Sequence, residues 1–282
     1  MNSNNVGLLH PGEMGISVGA SIKNSGREIY WVSEGRSQKT KERAASQDLK
    51  DAKTLQELCD TCSAIFSVCP PHEAENVASQ VVSCAFSGLY IDANAISPQR
   101  SITIGKAMDE AGISYVDGGI VGGPAWQPGT TWMHLSGEQA AAAADCFSAG
   151  PMETNVLGPS VGKASAVKMC FAAYTKGTTA LLSGIISTAE SLGVREELFD
   201  QWKIMGPDFA SRSVQSVRGV TAKAWRFIGE MEEISSTFEA AGLPGGFHAA
   251  AADIYRRLGH FKDLPELPSL EEVMTALTGG PN

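Results

Sequence analysis

The sequence predicts an α/β chain: a doubly wound sheet domain over residues 1–162, then an all-α domain over 163–282 that begins with a long connecting helix. Three observations predict this. Short apolar, β-rich runs alternate with helical stretches through the first 160 residues, the pattern of a parallel sheet built from crossover helices. A glycine-rich turn separates the first strand from the first helix. From Gly162 onward the strand signals stop and helical periods follow one another.

Taken in order, Val6 to Leu9 reads as a strand, the stretch to Asn24 as an amphipathic helix and Glu28 to Val32 as a second strand, a βαβ opening. Ala64 to Val68, Ser87 to Ile91 and Ser114 to Val116 continue the strands, with helices such as Thr54 to Cys59 and Pro98 to Ala111 between them. Thr131 to Leu135, a helix from Gly137 to Ala149 and Asn155 to Leu157 complete the domain. Lys163 to Leu192 then reads as one helix of about 45 Å at 1.5 Å per residue. Its small residues, among them Ala172, Gly177, Ala180 and Gly184, let another helix approach closely and predict a helix–helix or subunit interface. Glu196 to Met205, Phe209 to Ala224, Arg226 to Ala241 and Phe247 to Leu258 follow as helices, divided by Gly-Pro and Gly-rich turns. The tail after Phe261 holds a short helix around Leu270 to Leu277 and a Gly-Gly-Pro-Asn end expected to fray.

Composition narrows the function. With 43% hydrophobic and 19% charged residues and 30 glycines, the bulk of the 282 residues is a packed protein and not a disordered one. Lys+Arg 22 against Asp+Glu 31, a net charge of −9, argues against nucleic acid or an anionic membrane as the main partner. No apolar run approaches the roughly 20 residues of a membrane span, and the first residues carry neither a basic start nor a processing site, so a cytoplasmic protein is expected. The six cysteines read as reduced thiols, Cys59 and Cys62 as small helix residues without a second paired cluster, and the five histidines show no metal-ligand spacing. No metal site is expected.

The cofactor signal is the turn Gly7-Leu-Leu-His10-Pro11-Gly12-Glu13-Met14-Gly15, where a backbone can approach a pyrophosphate and a helix N-terminus supplies N–H donors. His10 stands where the dinucleotide fingerprint has its first glycine. At the end of the second strand, Ser33 is positioned to donate to a 2′-phosphate, with Arg36 and Ser37 closing over it, which favours NADP over NAD. Glu34, one residue on, is the opposing feature, able to hold a ribose diol and reject a phosphate.

These blocks together resemble the β-hydroxyacid dehydrogenase and 6-phosphogluconate dehydrogenase superfamily. GLLHPGEMG stands for its GFIGLGxMG, and Ser67-Val68-Cys69-Pro70-Pro71 is similar to the loop after its fourth strand. Asp92-Ala-Asn94-Ala-Ile-Ser-Pro98 resembles DxSTxxP, Asp117-Gly-Gly-Ile-Val121-Gly122-Gly123 resembles DAPVSGG, and Gly158 to Lys168 resembles GxxGxGxxxK. The C-terminal segment resembles the short branch whose helical domain is poorly characterised. The resemblance implies a Rossmann domain, a long helix and a small helical domain, in a homodimer with helical domains at its interface and active sites between the domains. It also implies hydride transfer to or from nicotinamide with Lys168 as acid/base, a lysine whose alanine-rich surroundings favour a lowered pKa. Cys69, Pro70 and Pro71 would line the cofactor.

Asn94 is a candidate for a ribose hydroxyl or the substrate, and Gly122-Gly123 for backbone donors to an oxyanion or carboxylate. Tyr174, Trp225 and Met231, with Trp126 and Trp132, are candidates for an apolar substrate wall. Three positions depart from the pattern: Val121 replaces the carboxylate-binding serine, Ala172 replaces an asparagine, and the acidic stretch Glu230 to Glu233 replaces a Lys-Asp pair. The expected function is hydride transfer between NADP(H) and a small hydroxyl or carbonyl substrate bulkier or less anionic than a simple hydroxy acid. An imine reductase of similar fold and a cofactor-binding, non-catalytic interaction module stand as alternatives.

Overall fold

The computed structural model describes residues 4–279; residues 1–3 and, of the Gly-Gly-Pro-Asn end, residues 280–282 lie outside the described residues. The chain divides into two compact units, one up to Met169 and one from Cys170.

The first unit carries strands β1 (Asn5–Leu9), β2 (Glu28–Trp31), β3 (Lys50–Asp51), β4 (Ala64–Ser67), β5 (Leu89–Asp92), β6 (Ser114–Gly122), β7 (Thr131–Ser136) and β8 (Glu153–Val156). Its helices are α1 (Glu13–Asn24), α2 (Gln38–Ser46), α3 (Leu55–Thr61), α4 (Ala74–Ser83), α5 (Pro98–Glu110) and α6 (Ala140–Ala144). The sheet order is β3-β2-β1-β4-β5-β6-β7-β8, a doubly wound arrangement with β1 at the switch point. The pairs are parallel except β6 with β7, which is antiparallel, so the sheet is mixed at one end and not parallel throughout.

β1 is buried at all five residues, as a central strand covered on both faces must be. One face packs Ile16, Val18 and Ile22 of α1 and Ala140 and Ala143 of α6 against Leu8, Phe66, Ile91 and Val116. The other packs Leu58 of α3, Val77 of α4, and Ile104 and Met108 of α5 against Ile65, Tyr90 and Tyr115. The helix expected from Gly137 to Ala149 is shorter: α6 covers five alanines and tightens into a 3-10 turn over Asp145–Phe147. There Cys146 and Phe147 turn into the core while Gly150 passes so close to Ser21 that a Cβ would lie 2.5 Å from its carbonyl oxygen. α2 has a polar sequence with one buried residue, Ala44, and no apolar period to betray it.

Helix α7 (Lys163–Ser191) starts in the first unit and ends in the second. The second unit continues with α8 (Arg195–Trp202), α9 (Phe209–Gly219), α10 (Ala224–Ala240), α11 (Gly246–Leu258) and α12 (Leu270–Thr278). α12 is fixed by a capping box between Ser269 and Glu272. Gly177 of α7 faces His248 and Phe247 of α11, where a Cβ would meet both rings at 3.3–3.4 Å. That is the close helix approach the small residues predict. Leu181 and Ile185 of α7, Leu192 just past its end and Phe247 of α11 remain exposed along an apolar groove of about 550 Å³.

Candidate functional site

In the sheet unit, β1 delivers the chain to α1 through His10-Pro11-Gly12. No side chain caps α1 at Gly12, and the space over its Cα is open. Gly15 has the opposite surroundings: a Cβ there would sit 2.0 Å from the His10 carbonyl oxygen, so only glycine lets the helix start this tightly. The turn is tied back when the Gly12 N–H donates to the His10 carbonyl (2.8 Å) and the His10 N–H to the Val68 carbonyl (3.2 Å).

Beside it opens a cleft of about 500 Å³ lined by His10, Glu34, Arg36, Cys69, Pro70 and Glu73 among others. Two polar atoms in its walls are buried without a hydrogen-bond partner, Nδ1 of His10 and Nε of Arg36. Burial first, and then the Arg36 charge, push His10 down to about 4, so the imidazole is neutral at pH 7. Burial also lowers Arg36 and pushes the Cys69 thiol up to about 12, which leaves it inert as a nucleophile. Orphaned buried donors or acceptors are costly, and two facing one cleft fit a polar, anionic ligand such as the adenosine end of a dinucleotide.

The other cofactor candidates are divided. Ser33 does not line the cleft, and its carbonyl accepts the Arg36 N–H (3.2 Å). The Ser37 hydroxyl caps α2 by accepting the Thr40 N–H (3.3 Å). Pro11 turns its carbonyl to Arg43 Nη1 (3.2 Å), Glu13 is exposed, and Met14 holds Ser17 through its carbonyl (2.8 Å). Pro71 opens a 3-10 turn. Asn94 is buried: its Oδ1 accepts the Cys69 N–H (2.6 Å) and its Nδ2 donates to Ser67 Oγ (3.2 Å), so it shapes the loop that lines the cleft.

A second constellation forms along β6. Sheet register sets Ser67, Asp92, Asp117 and Ser136 in one row across β4 to β7. Strand alternation puts Asp117, Gly119 and Val121 on one face, and the first turns of α7 lie against it. A Cβ on Gly119 would meet the Ala164 carbonyl oxygen at 2.4 Å and Lys168 Cβ at 3.1 Å. Lys168 therefore lies directly over the bare glycine, half-buried, with half-buried Val121 two residues further along the strand. Val121 pairs across strands with Trp132, which is 39% exposed, and Trp126 on the β6–β7 connection is 48% exposed. Gly122 has φ +119°, and a Cβ would lie 2.3 Å from the Thr130 carbonyl oxygen, whereas Gly123 has open space over its Cα.

The two carboxylates of the row differ. Asp117 Oδ2 accepts from Ser136 Oγ (2.9 Å), the Gly162 N–H (2.9 Å) and the Ser165 N–H (3.0 Å), and Oδ1 accepts from Ser165 Oγ (2.6 Å). Asp92 is just as buried, yet its Oδ2 has no hydrogen-bond partner while Oδ1 accepts the Asn94 N–H (3.0 Å). Burial pushes Asp92 up to about 7 against the pull of the Asn94 N–H, and the charge of Asp117 adds to the rise.

In the helical unit, Tyr174 is 73% exposed, Trp225 lies under Lys262 Nζ (4.0 Å to the ring) and Met231 is fully buried, offering no surface to a ligand. The expectation that Met231 lines an open substrate wall is corrected on that ground. Sequence reasoning also missed an ion pair: Lys176 Nζ of α7 lies 3.0 Å from Glu230 Oε2 of α10, with both side chains mostly buried, and 4.9 Å from the Phe227 ring. Their separation of 54 residues leaves no local signal. Among the described residues no group of three or more His, Cys, Asp or Glu is placed to hold a metal, and no helix is long and apolar enough to cross a membrane.

Residues 5–147, half of the chain, match the family described as the NAD binding domain of 6-phosphogluconate dehydrogenase. Residues 189–258 match a domain of unknown function, DUF1932. An uncharacterized 28.5 kDa protein in the 7S RNA 5′ region of Methanothermus fervidus is 31% identical over 196 residues, which is 69% of this chain and 74% of the relative. Among solved structures, 3-hydroxyisobutyrate dehydrogenase of Mycobacterium tuberculosis with L-serine is similar with a TM-score of 0.71 at 17% identity, over 98% of this chain and 99% of that one. A variant imine reductase from Myxococcus stipitatus in complex with NAD+ gives 0.57 at 16% identity, over 96% and 99%. At such identities the two structures share the fold with this chain.

Proposed function

This chain belongs to the family of the 6-phosphogluconate dehydrogenase NAD-binding domain, and so to the NAD(P)-dependent dehydrogenases and reductases, and we propose that it moves hydride between NADP(H) and a hydroxyl or carbonyl substrate with Lys168 as acid/base. The observation that carries the reading is the half-buried Lys168, whose Cβ lies against Gly119, on the strand that runs on to Gly122 at its C-terminal end. That edge of an open α/β sheet is where ligands bind.

When bound, the cofactor accepts or supplies the hydride at the reacting carbon. Lys168 Nζ takes the hydroxyl proton on oxidation and returns a proton to the carbonyl oxygen on reduction. Gly122 and Gly123 are assigned to the substrate oxygens as backbone donors, and Asn94 holds the loop of Cys69 and Pro70 against the cofactor. The orphaned Arg36 Nε and His10 Nδ1 support a 2′-phosphate in the adenosine cleft, and hence NADP. Glu34 in the same cleft is the feature that supports NAD. Val121 paired with Trp132 supports a substrate with an apolar flank in place of a carboxylate. The exposed apolar groove between α7 and α11 supports a homodimer, and the six free cysteines support a reducing, cytoplasmic setting.

The test begins with titration of the purified protein with NADPH and, separately, NADH. Micromolar NADPH binding with NADH weaker is expected; a preference for NADH moves Glu34 to the ribose, and failure of both to bind favours the interaction module. Lys168→Ala is then expected to abolish carbonyl reduction with cofactor binding unchanged. Unchanged turnover removes Lys168 from the chemistry. Consumption of NADPH with cyclic imines and not with carbonyls selects the imine reductase reading.

A further inference from the structure

We infer that Asp117 is a positioning residue for Lys168, anchoring the first turn of α7 to β6 so that the amine is presented at one fixed height along the strand. The inference rests on Lys168 as the proton carrier, and its test below does not depend on turnover.

The first N–H groups of a helix have no partner within it. At α7 two of them, from Gly162 just before the helix and Ser165 in its first turn, converge on a single oxygen of Asp117. The cap therefore comes from a neighbouring strand, 45 to 48 residues away, and not from the helix itself. Ser165 Oγ and Ser136 Oγ complete the carboxylate, and the Ala164 N–H donates to Ser136 Oγ (3.1 Å). Three elements, β6, β7 and α7, are locked at one point. A carboxylate at a helix N-terminus is favoured by the helix dipole, and charge-assisted bonds are stronger than neutral ones. Lys168 lies three residues beyond Ser165, on the same side of the helix.

Gly119 converts that anchor into a position. Two residues along the same face of β6, its missing side chain lets the Ala164 carbonyl and Lys168 Cβ settle onto the strand. A cap that served only helix stability would need neither the second strand's hydroxyl nor the bare glycine ahead of it.

The experiment is competitive acetylation of lysines in the full chain with a trace of acetic anhydride at pH 8, read peptide by peptide by mass spectrometry. Lys176, in a buried ion pair on the same helix, is the internal reference. In Asp117→Asn the Lys168 rate is expected to rise at least about threefold relative to Lys176, the scale of losing one hydrogen bond. Ser165→Ala, which keeps the charge and removes one bond, should move it in the same direction by a smaller factor. Should Asp117→Asn fail to fold, Ser136→Ala provides the same readout with the carboxylate intact. An unchanged Lys168 rate in variants that fold overturns the inference. A parallel rise at Lys176 and Lys168 also overturns it, because Asp117 would then serve general stability. If the rates shift as expected but Lys168→Ala leaves hydride transfer intact, the anchor stands and the catalytic reading falls.

Discussion

Helices α1 and α7 both begin against the sheet, and their first turns meet opposite surroundings. At α1 no side chain caps the helix, the space over Gly12 is open, and the neighbouring cleft holds two polar atoms without partners. At α7 a buried carboxylate from β6 fills the corresponding position and is saturated by four donors. Each helix start presents the same partial positive charge. Where the protein supplies its own anion the helix becomes a fixed part, and where it withholds one the helix start is left for a ligand. The same contrast separates the two acids of the row, since Asp117 is fully engaged and Asp92 keeps an oxygen without a partner.

The strongest way to break the contrast is to distort the turn that leads into the open helix start. Gly15→Ala drives a methyl group into the His10 carbonyl, a backbone atom that cannot swing aside. NADPH affinity measured by calorimetry should fall about 100-fold or more, close to 3 kcal/mol, while urea denaturation checks that the variant folds. Retained affinity would mean that the nucleotide does not use this turn.

The neighbouring acid gives the next largest effect. Asp92 has a folded value of about 7 against an ordinary 3.8, so the folded chain holds its proton more tightly than the unfolded chain does. Stability contributed by this group falls as pH rises from about 4 to about 7 and stays low above that. Asp92→Asn, which keeps an acceptor for the Asn94 N–H, should gain about 2 kcal/mol at pH 8 and little at pH 4.5 in urea unfolding. Equal effects at both pH values would show that Asp92 is not protonated in the fold.

Arg36→Ala should weaken NADPH by about tenfold, the worth of a charge-assisted bond or two, and leave NADH within about twofold. A matching loss for both cofactors would take Arg36 away from the 2′-phosphate. The smallest effect belongs to His10, whose folded value of about 4 lies below the ordinary 6.5. Its contribution is present above pH 6.5 and lost as pH falls toward 4, opposite in sign to that of Asp92. His10→Gln should flatten this limb by about 1 kcal/mol in the same unfolding series.

The sequence displayed much of this architecture because its signals are local. The glycine turn after β1, the run from Asp117 to Gly123 and the long helical period after Gly162 each lie in one unbroken stretch of chain that can be read together. The anchor of α7 was not legible, since Asp117, Ser136 and Ser165 meet only through sheet register and a helix start 48 residues downstream. Strand β3 has two residues and α2 one buried side chain, so neither shows an apolar period. Met231 and Trp225 looked alike as candidates for a pocket wall, but burial separates them, and burial is a property of the packed unit. His10 read as a flaw in the cofactor turn; its unpartnered Nδ1 in the cleft makes it part of the wall.

The alternation along β6 also constrains how such a chain can change length over evolutionary time. Asp117, Gly119 and Val121 face α7, while Val116 and Ile120 face the core with α1. Inserting or deleting one residue between 117 and 121 would exchange the two sets, sending a carboxylate into the apolar layer and an isoleucine against the helix. The connection from Gly123 to Thr130, mostly exposed, carries no such parity. Lineages descended from this chain should therefore differ in length at that hairpin tip and leave the strand before it uninterrupted, altering the substrate wall by substitution alone.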